Sequence, residues 1–89
     1  MIGVKTIVLD ALKPRETTII DLSRALCNVP GVLNVVATVR EVDERTETVR
    51  IKIEGRNIDY DMVLEAAKEV GTAIRSIDEV SVEKIEGEV

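Results

Sequence analysis

The sequence has no histidine, phenylalanine or tryptophan, and it has a single tyrosine and a single cysteine. Without histidine, no imidazole can act as a general base or a metal ligand. One cysteine excludes a disulfide within the chain and a zinc site built from several thiolates. We expect this residue, Cys27, to be a small buried apolar side chain. The scarcity of aromatic residues argues against a surface that stacks nucleic-acid bases.

The charge balance also excludes some classes of partner. The net charge is -5 and the isoelectric point is about 4.7, so we expect no nucleic-acid partner. No apolar run approaches the roughly 20 residues of a membrane span, and no signal-peptide pattern opens the chain, which predicts a cytoplasmic protein without membrane contact. The charged fraction of 33%, with three asparagines and no glutamine, is typical of thermophile proteins.

The residues that are present predict an ordered domain rich in sheet. Of the 89 residues, 45% are hydrophobic, and 14 valines and 10 isoleucines supply most of these. Such β-branched side chains favour strands, and this apolar fraction is too high for a disordered chain. We expect a single domain over 1–85, followed by an acidic C-terminal end over 86–89.

The hydrophobic pattern predicts six elements. Alternation predicts strands over 2–12, 32–42, 47–54 and 72–85, and helical spacing predicts one helix between Thr18 and Pro30 and another over 58–70. The apolar spacing shifts within 76–80, which predicts a bulge or bend in the last strand. The order β-α-β-β-α-β predicts an α+β ferredoxin-like fold. In this fold a four-stranded antiparallel sheet carries both helices on one face, and the first and third strands are central.

The other face of such a sheet meets water, and the alternation places apolar residues on it. We expect Val4 and Val8 to be exposed there, with Val36 and Val42 on the neighbouring edge strand. Together with Arg40, these residues form a candidate interface for self-association through the sheet face or edge. The alternative is that they are scattered surface residues of a monomer.

Short segments spread along the chain occur together in a known family. They are Leu9-Asp10-Ala11-Leu12-Lys13-Pro14, Glu41-Val42-Asp43, Ile53-Glu54-Gly55 and Ser76-Ile77-Asp78-Glu79-Val80. On these segments, nearly the whole chain resembles an archaeal family of unknown function, domain family 211. The resemblance implies a ferredoxin-like fold, an archaeal cytosolic setting and ring-like homo-oligomers, and it implies no reaction because the family has none assigned.

Two groups of charged residues are candidates for binding. Asp10, Lys13 and Arg15 flank the start of the first helix, where backbone N–H groups attract a small anionic ligand. The alternative is an ordinary loop with solvated charges. Asp10, Asp78 and Glu79, gathered from neighbouring strands or subunits, have the oxygen ligands that Ca²⁺ or Mg²⁺ prefers. The alternative is that these acids are solvated or pair with Arg75 and Lys84.

These observations predict a non-catalytic module that assembles with copies of itself. A ring is the form that the resemblance favours, and a small ligand or a divalent cation, Ca²⁺ or Mg²⁺, is the candidate occupant of its binding sites. The alternatives are a purely structural or protein-interaction ring, and a small enzyme with sites at subunit interfaces. We expect no enzyme and no catalytic residue, because a chain of 89 residues has little room for an enclosed site.

Overall fold

The computed structural model describes residues 1–86 and shows the predicted order of elements. The elements are β1 (Ile2–Pro14), α1 (Ile19–Cys27), β2 (Val32–Val42), β3 (Thr46–Gly55), α2 (Tyr60–Glu69) and β4 (Ala73–Lys84). The strands form one antiparallel sheet in the order β2-β3-β1-β4, and both helices pack on one face. The predicted ferredoxin-like fold is therefore confirmed, with β1 and β3 in the centre. Residues 87–89 of the predicted acidic end lie outside the described residues.

Both helices begin directly after a side-chain cap. The Thr18 hydroxyl accepts a hydrogen bond from the Asp21 N–H at 3.0 Å. The Asp59 carboxylate likewise accepts one from the Met62 N–H at 3.2 Å. Each cap satisfies a backbone donor that has no partner inside the helix. These caps fix where α1 and α2 start, so α2 begins at Tyr60 and not at residue 58.

The core lies between the helices and rows of side chains that cross the sheet. Each row takes one residue from every strand, and its members share the helix-facing side. The rows are Val35–Ile53–Ile7–Val80, Ala37–Ile51–Leu9–Ile77 and Val39–Val49–Ala11–Ile74. The members from β1 and β3 are buried, whereas those from β2 and β4 are half-buried or exposed. The two edge strands therefore leave apolar side chains open to solvent.

Two bulges keep the apolar residues of β4 on the helix side. A regular strand returns to the same face every second residue, but Ile74, Ile77 and Val80 are three residues apart. The pairing of β4 with β1 shifts by one residue at Arg75 and again at Asp78. Each extra residue brings the next apolar side chain back to the helix face. The bulge predicted within 76–80 is confirmed.

A further bulge, at Lys5 of β1, overturns the predicted position of Val4. Val4 pairs with Val82 while Thr6 pairs with Ser81, so Lys5 is the extra residue. Val4 consequently points to the helix side, where it is half-buried and packs against the core. The prediction that it lies exposed on the open face is wrong.

Val8 lies on the open face as predicted, but its predicted exposure is wrong because it is only 2% exposed. It belongs to a central strand and is in register with Lys52 on one side and Glu79 on the other. Residues in register share a face, and the long stems of such side chains cover apolar neighbours. Val8 is thus buried within its own sheet.

We expect Leu26→Ala to lower the free energy of unfolding by about 2–5 kcal/mol, because truncating a buried leucine leaves a cavity in the core. Leu26 is 0% exposed on the inner side of α1. Its neighbour Cys27 is exposed and serves as the control, since Cys27→Ala should change stability by no more than about 0.5 kcal/mol. Urea denaturation at matched protein concentration measures both, and equal losses would contradict this placement of α1.

Candidate functional site

The loop before α1 uses Lys13 as an internal link, not as a binding residue. Strand β1 runs to Pro14, beyond the predicted end at residue 12, and places Lys13 on the helix side opposite Glu47. The Lys13 side chain is 1% exposed and its Nζ lies 2.7 Å from Glu47 Oε1. The ammonium also donates to the Pro14 carbonyl at 3.0 Å and to the Thr17 carbonyl. Three acceptors therefore surround the group, which corrects the prediction that Lys13 attracts an external anion.

Further hydrogen bonds hold this loop against its neighbours. The Thr17 hydroxyl donates to the Val70 carbonyl at the end of α2, at 3.2 Å. The Arg15 N–H donates to the Arg45 carbonyl in the β2–β3 turn at 3.0 Å. The Arg15 side chain is exposed. Of the three candidate ligand residues in this region, Arg15 alone presents an exposed charge, and a binding role for the loop stays a prediction.

Two of the three candidate metal-binding acids, Asp10 and Asp78, pair with neighbours inside the chain. Asp10 Oδ2 accepts from Arg75 Nε at 3.1 Å and from Arg75 Nη2 at 3.0 Å. Asp78 Oδ1 accepts from the Ser76 hydroxyl at 2.8 Å. Glu79 is exposed and lies in register with Val8, in a different row from Asp10. Over residues 1–86, no cluster of three or more acidic or cysteine side chains is arranged to hold a metal ion. A cation site that includes these acids stays a prediction.

The predicted interface residues of β2 lie on an exposed edge strand. Val36 and Val42 are both exposed, and so is Arg40. Val36 is in register with Lys52 on the open face. A bulge at Arg40 moves Val42 to the helix side, opposite Glu47. These residues are accessible to a partner, but they do not form one continuous face as the alternation alone predicts.

An apolar cavity beside β4 was not foreseen from the sequence. It has a volume of about 230 Å³ and is lined by Val4, Ile7, Tyr60, Ile77 and Val80. We call it the β4 cavity. Burial raises the pKa of the Tyr60 hydroxyl above its usual 10.0, and the nearby Asp61 carboxylate raises it further. The sequence signal for this cavity was the three-residue spacing of Ile74, Ile77 and Val80, which lie on one side of the strand only because bulges separate them.

A second apolar groove lies at the opposite edge of the sheet, between α1 and β2. It has a volume of about 370 Å³, and its walls include Ile19, Ile20, Arg24, Leu33 and Val35. We call it the β2 groove. Leu33 is the most exposed large apolar residue of the described chain at 77%, because the pairing of β2 with β3 shifts there by one residue. Cys27 also lines the groove and is exposed, so the prediction that it is buried is wrong.

Two matches to known proteins identify the family of this chain. The family model described as uncharacterised ArCR, DUF211, matches residues 5–87. The chain belongs to the DUF211 family. A relative in Methanocaldococcus jannaschii, the uncharacterised protein MJ0319, is 44% identical over 80 residues, which cover 90% of this chain and 82% of the relative. The resemblance to domain family 211 is therefore confirmed, and the relative is archaeal. No helix among residues 1–86 is long and apolar enough to cross a membrane.

The Lys13–Glu47 pair generates a stability prediction. We expect Glu47→Gln to cost about 3–5 kcal/mol, because it leaves a buried ammonium without its counter-charge. The double variant Lys13→Met/Glu47→Gln should recover at least half of that loss, since it also removes the buried charge. Thermal and urea unfolding measure both variants. A double variant no more stable than Glu47→Gln would contradict the structural role assigned to this pair.

The predicted cation site is tested by measuring the melting temperature of the protein with and without Ca²⁺. If Asp78 binds Ca²⁺ with acids of another copy, added Ca²⁺ should raise the melting temperature, and Asp78→Asn should abolish that rise because it removes a charged oxygen ligand. Glu69→Gln, at an exposed acid of α2, is the control and should keep the rise. The site would be refuted if Asp78→Asn and the parent protein respond to Ca²⁺ equally.

Proposed function

We propose that this DUF211 protein is a non-catalytic module whose function begins with self-assembly into a closed homo-oligomer, with a ring as the expected form. The observation that carries the proposal is the uncovered apolar side of β4. Ile77, Val80 and Val82 are 50%, 55% and 58% exposed, and all lie on the helix side of one edge strand. We call these residues the β4 strip. Single exposed apolar residues are common on monomers, whereas a continuous strip beside a cavity is typical of an interface.

The unpaired backbone of the edge strands supports the same proposal. The order β2-β3-β1-β4 leaves one side of β2 and one side of β4 without a neighbouring strand in residues 1–86. Both edges are long, with 11 and 12 residues. Free N–H and C=O groups along such edges pair with another strand, and monomeric proteins usually protect them. Here the edges carry apolar residues, so a further copy of the chain would satisfy both the backbone and the side chains.

The proposal gives the predicted interface residues different roles. Val36, Arg40 and Val42 remain candidates for contact because they are exposed on the β2 edge. Val4 contributes as part of the β4 cavity. Val8 has no role in the interface, because it is buried within its own sheet. A small ligand or a divalent cation would then bind where two copies meet, because there the acids and charges of neighbouring copies approach each other.

We expect the unmodified protein to be an oligomer in solution and Val82→Asp to dissociate it to a monomer, because the variant places a charge in the β4 strip. Met62→Asp is the matched control. Met62 is also an exposed apolar residue, but it lies on α2 outside the strip, and this variant should keep the size of the parent. Size-exclusion chromatography with light scattering measures the mass. The proposal fails if the unmodified protein is a monomer, or if Val82→Asp keeps the oligomeric mass.

A further inference from the structure

We propose that the groove between the two helices binds a basic amphipathic helix of a partner protein. The groove has a volume of about 180 Å³ and is lined by α1, by the residues that follow α1, and by α2. We call it the helix groove. This inference goes beyond self-assembly and does not depend on it, because neither edge strand lines the helix groove within residues 1–86.

The helix groove has an apolar floor and an exposed rim. Val29 is 6% exposed, and Ala25 and Ala66 are half-buried, so these three side chains form the floor. Met62 and Glu69 are exposed along α2 and form part of the rim. The volume of about 180 Å³ is slightly larger than the roughly 150 Å³ of an apolar cavity that accepts benzene. The groove therefore has room for one large apolar side chain, such as a leucine.

The rim of the helix groove carries negative charge. Glu65 and Glu69 line the groove and are exposed. Asp61 lies four residues before Glu65, so the three carboxylates share one side of α2, where like charges repel one another. None of the three forms a salt bridge with a cation of residues 1–86. The cation nearest to them in the sequence, Lys68, lines a different cavity together with Leu64. The rim therefore lacks a counter-charge from the described part of its own chain.

The ends of the two helices add to this negative potential. α1 ends at Cys27, and Asn28 and Val29 directly after it line the helix groove. Carbonyl groups at the C-terminal end of a helix carry partial negative charge. Glu69 is the last residue of α2, where an acid is unfavourable for the helix itself. A cation bound in the groove would offset both effects.

These features select the chemistry of the partner. An apolar floor accepts an apolar side chain, and a negative rim attracts lysine or arginine. A helix with leucines on one side and basic residues beside them offers both, and amphipathic helices commonly bind in apolar grooves. The net charge of -5 attracts the same kind of partner from a distance. The segment Gly87-Glu88-Val89 of this chain contains no cation, so it lacks the charge that the groove requires.

A labelled peptide measures this binding directly. The probe is a fluorescein-labelled peptide of about 15 residues, with leucines at helical spacing and lysines at the other positions. Its control is a scrambled peptide of the same composition. We expect fluorescence anisotropy to show that the amphipathic peptide binds at least about tenfold more tightly, because it alone gathers its leucines on one side. Equal binding of the two peptides, or no binding of either, would overturn the inference.

Charge reversal locates the binding site. Glu65→Lys/Glu69→Lys should weaken binding of the amphipathic peptide by about tenfold or more, because two attractive contacts become repulsive. Glu16→Lys/Glu44→Lys, at exposed acids outside the groove, gives the same net charge and should weaken it by less than about threefold. Equal losses would mean that only net charge matters, which contradicts the inference. If the first variant does not fold by circular dichroism, Glu65→Gln/Glu69→Gln is compared in the same way with Glu16→Gln/Glu44→Gln.

The apolar contact is tested on the same helix. Met62→Ser should weaken binding by about threefold or more, because it removes an apolar side chain beside the partner's leucine. Leu64→Ser is the control, since Leu64 is also an exposed apolar residue of α2 but lines another cavity. Equal losses from the two variants would contradict the inference. A fall in the mass of Met62→Ser in light scattering, with the mass of Leu64→Ser unchanged, would assign the groove to another copy of the chain and would also overturn it.

Zero-length cross-linking provides a second measurement on the unmodified protein. A carbodiimide joins a lysine amine of the peptide to a carboxylate in contact with it, and mass spectrometry of the digested product identifies that carboxylate. We expect links to Glu65, Glu69 or Asp61. Links only to acids outside α2 would place the peptide elsewhere and refute the assignment of the helix groove.

Discussion

The length of the strands relative to the helices is the constraint on which the rest of this structure depends. β1 has 13 residues and β4 has 12, so they extend about 40 Å at roughly 3.3 Å per residue. The helices have 9 and 10 residues, about 15 Å at 1.5 Å per residue. Two short helices cannot cover the full helix-facing side of such a sheet. Apolar residues at its edges consequently stay exposed in a single copy.

The bulges add to this mismatch. Without them, the β4 residues that are three positions apart would alternate between the two faces of the sheet. The extra residues at Arg75 and Asp78 instead keep Ile74, Ile77 and Val80 on one side. The extra residue Lys5 likewise places Val4 of β1 on that side. The bulges therefore concentrate apolar surface beside α2, where the chain has no further element to cover it within residues 1–86. Self-assembly is the simplest way to bury that surface.

Much of the fold could be predicted from the sequence, because the hydrophobic pattern of each segment agrees with its burial in the folded chain. The unbroken alternation of Val49, Ile51 and Ile53 in β3 matches their burial, and both helices lie where the helical spacing predicts them. The candidate site could be predicted less well. The burial of Lys13 depends on its register with Glu47 across the sheet. Pro14 suggested an earlier end of β1, but a proline is tolerated at the end of a strand, where its missing donor costs little.

The prediction for Val4 failed for a similar reason. A bulge in β1 depends on how β4 pairs with it, and no property of residues 2–6 alone indicates it. The two apolar surfaces at the sheet edges also emerged only when distant segments were brought together. Val35 and Val80 are far apart in the chain, and the sheet places them in one row on opposite edges. Pairing between strands therefore decides the features that bear on function in this protein.

Native mass spectrometry of the unmodified protein, purified without chelator or affinity metal, tests the central claim most directly. The account predicts a single discrete species, larger than a dimer, whose mass is a whole multiple of the 9.8 kDa chain. Extra mass in fixed proportion to the subunits would identify a ligand or cation at the junctions. A monomer would contradict the account, because it would mean that the uncovered apolar side of β4 stays exposed to water.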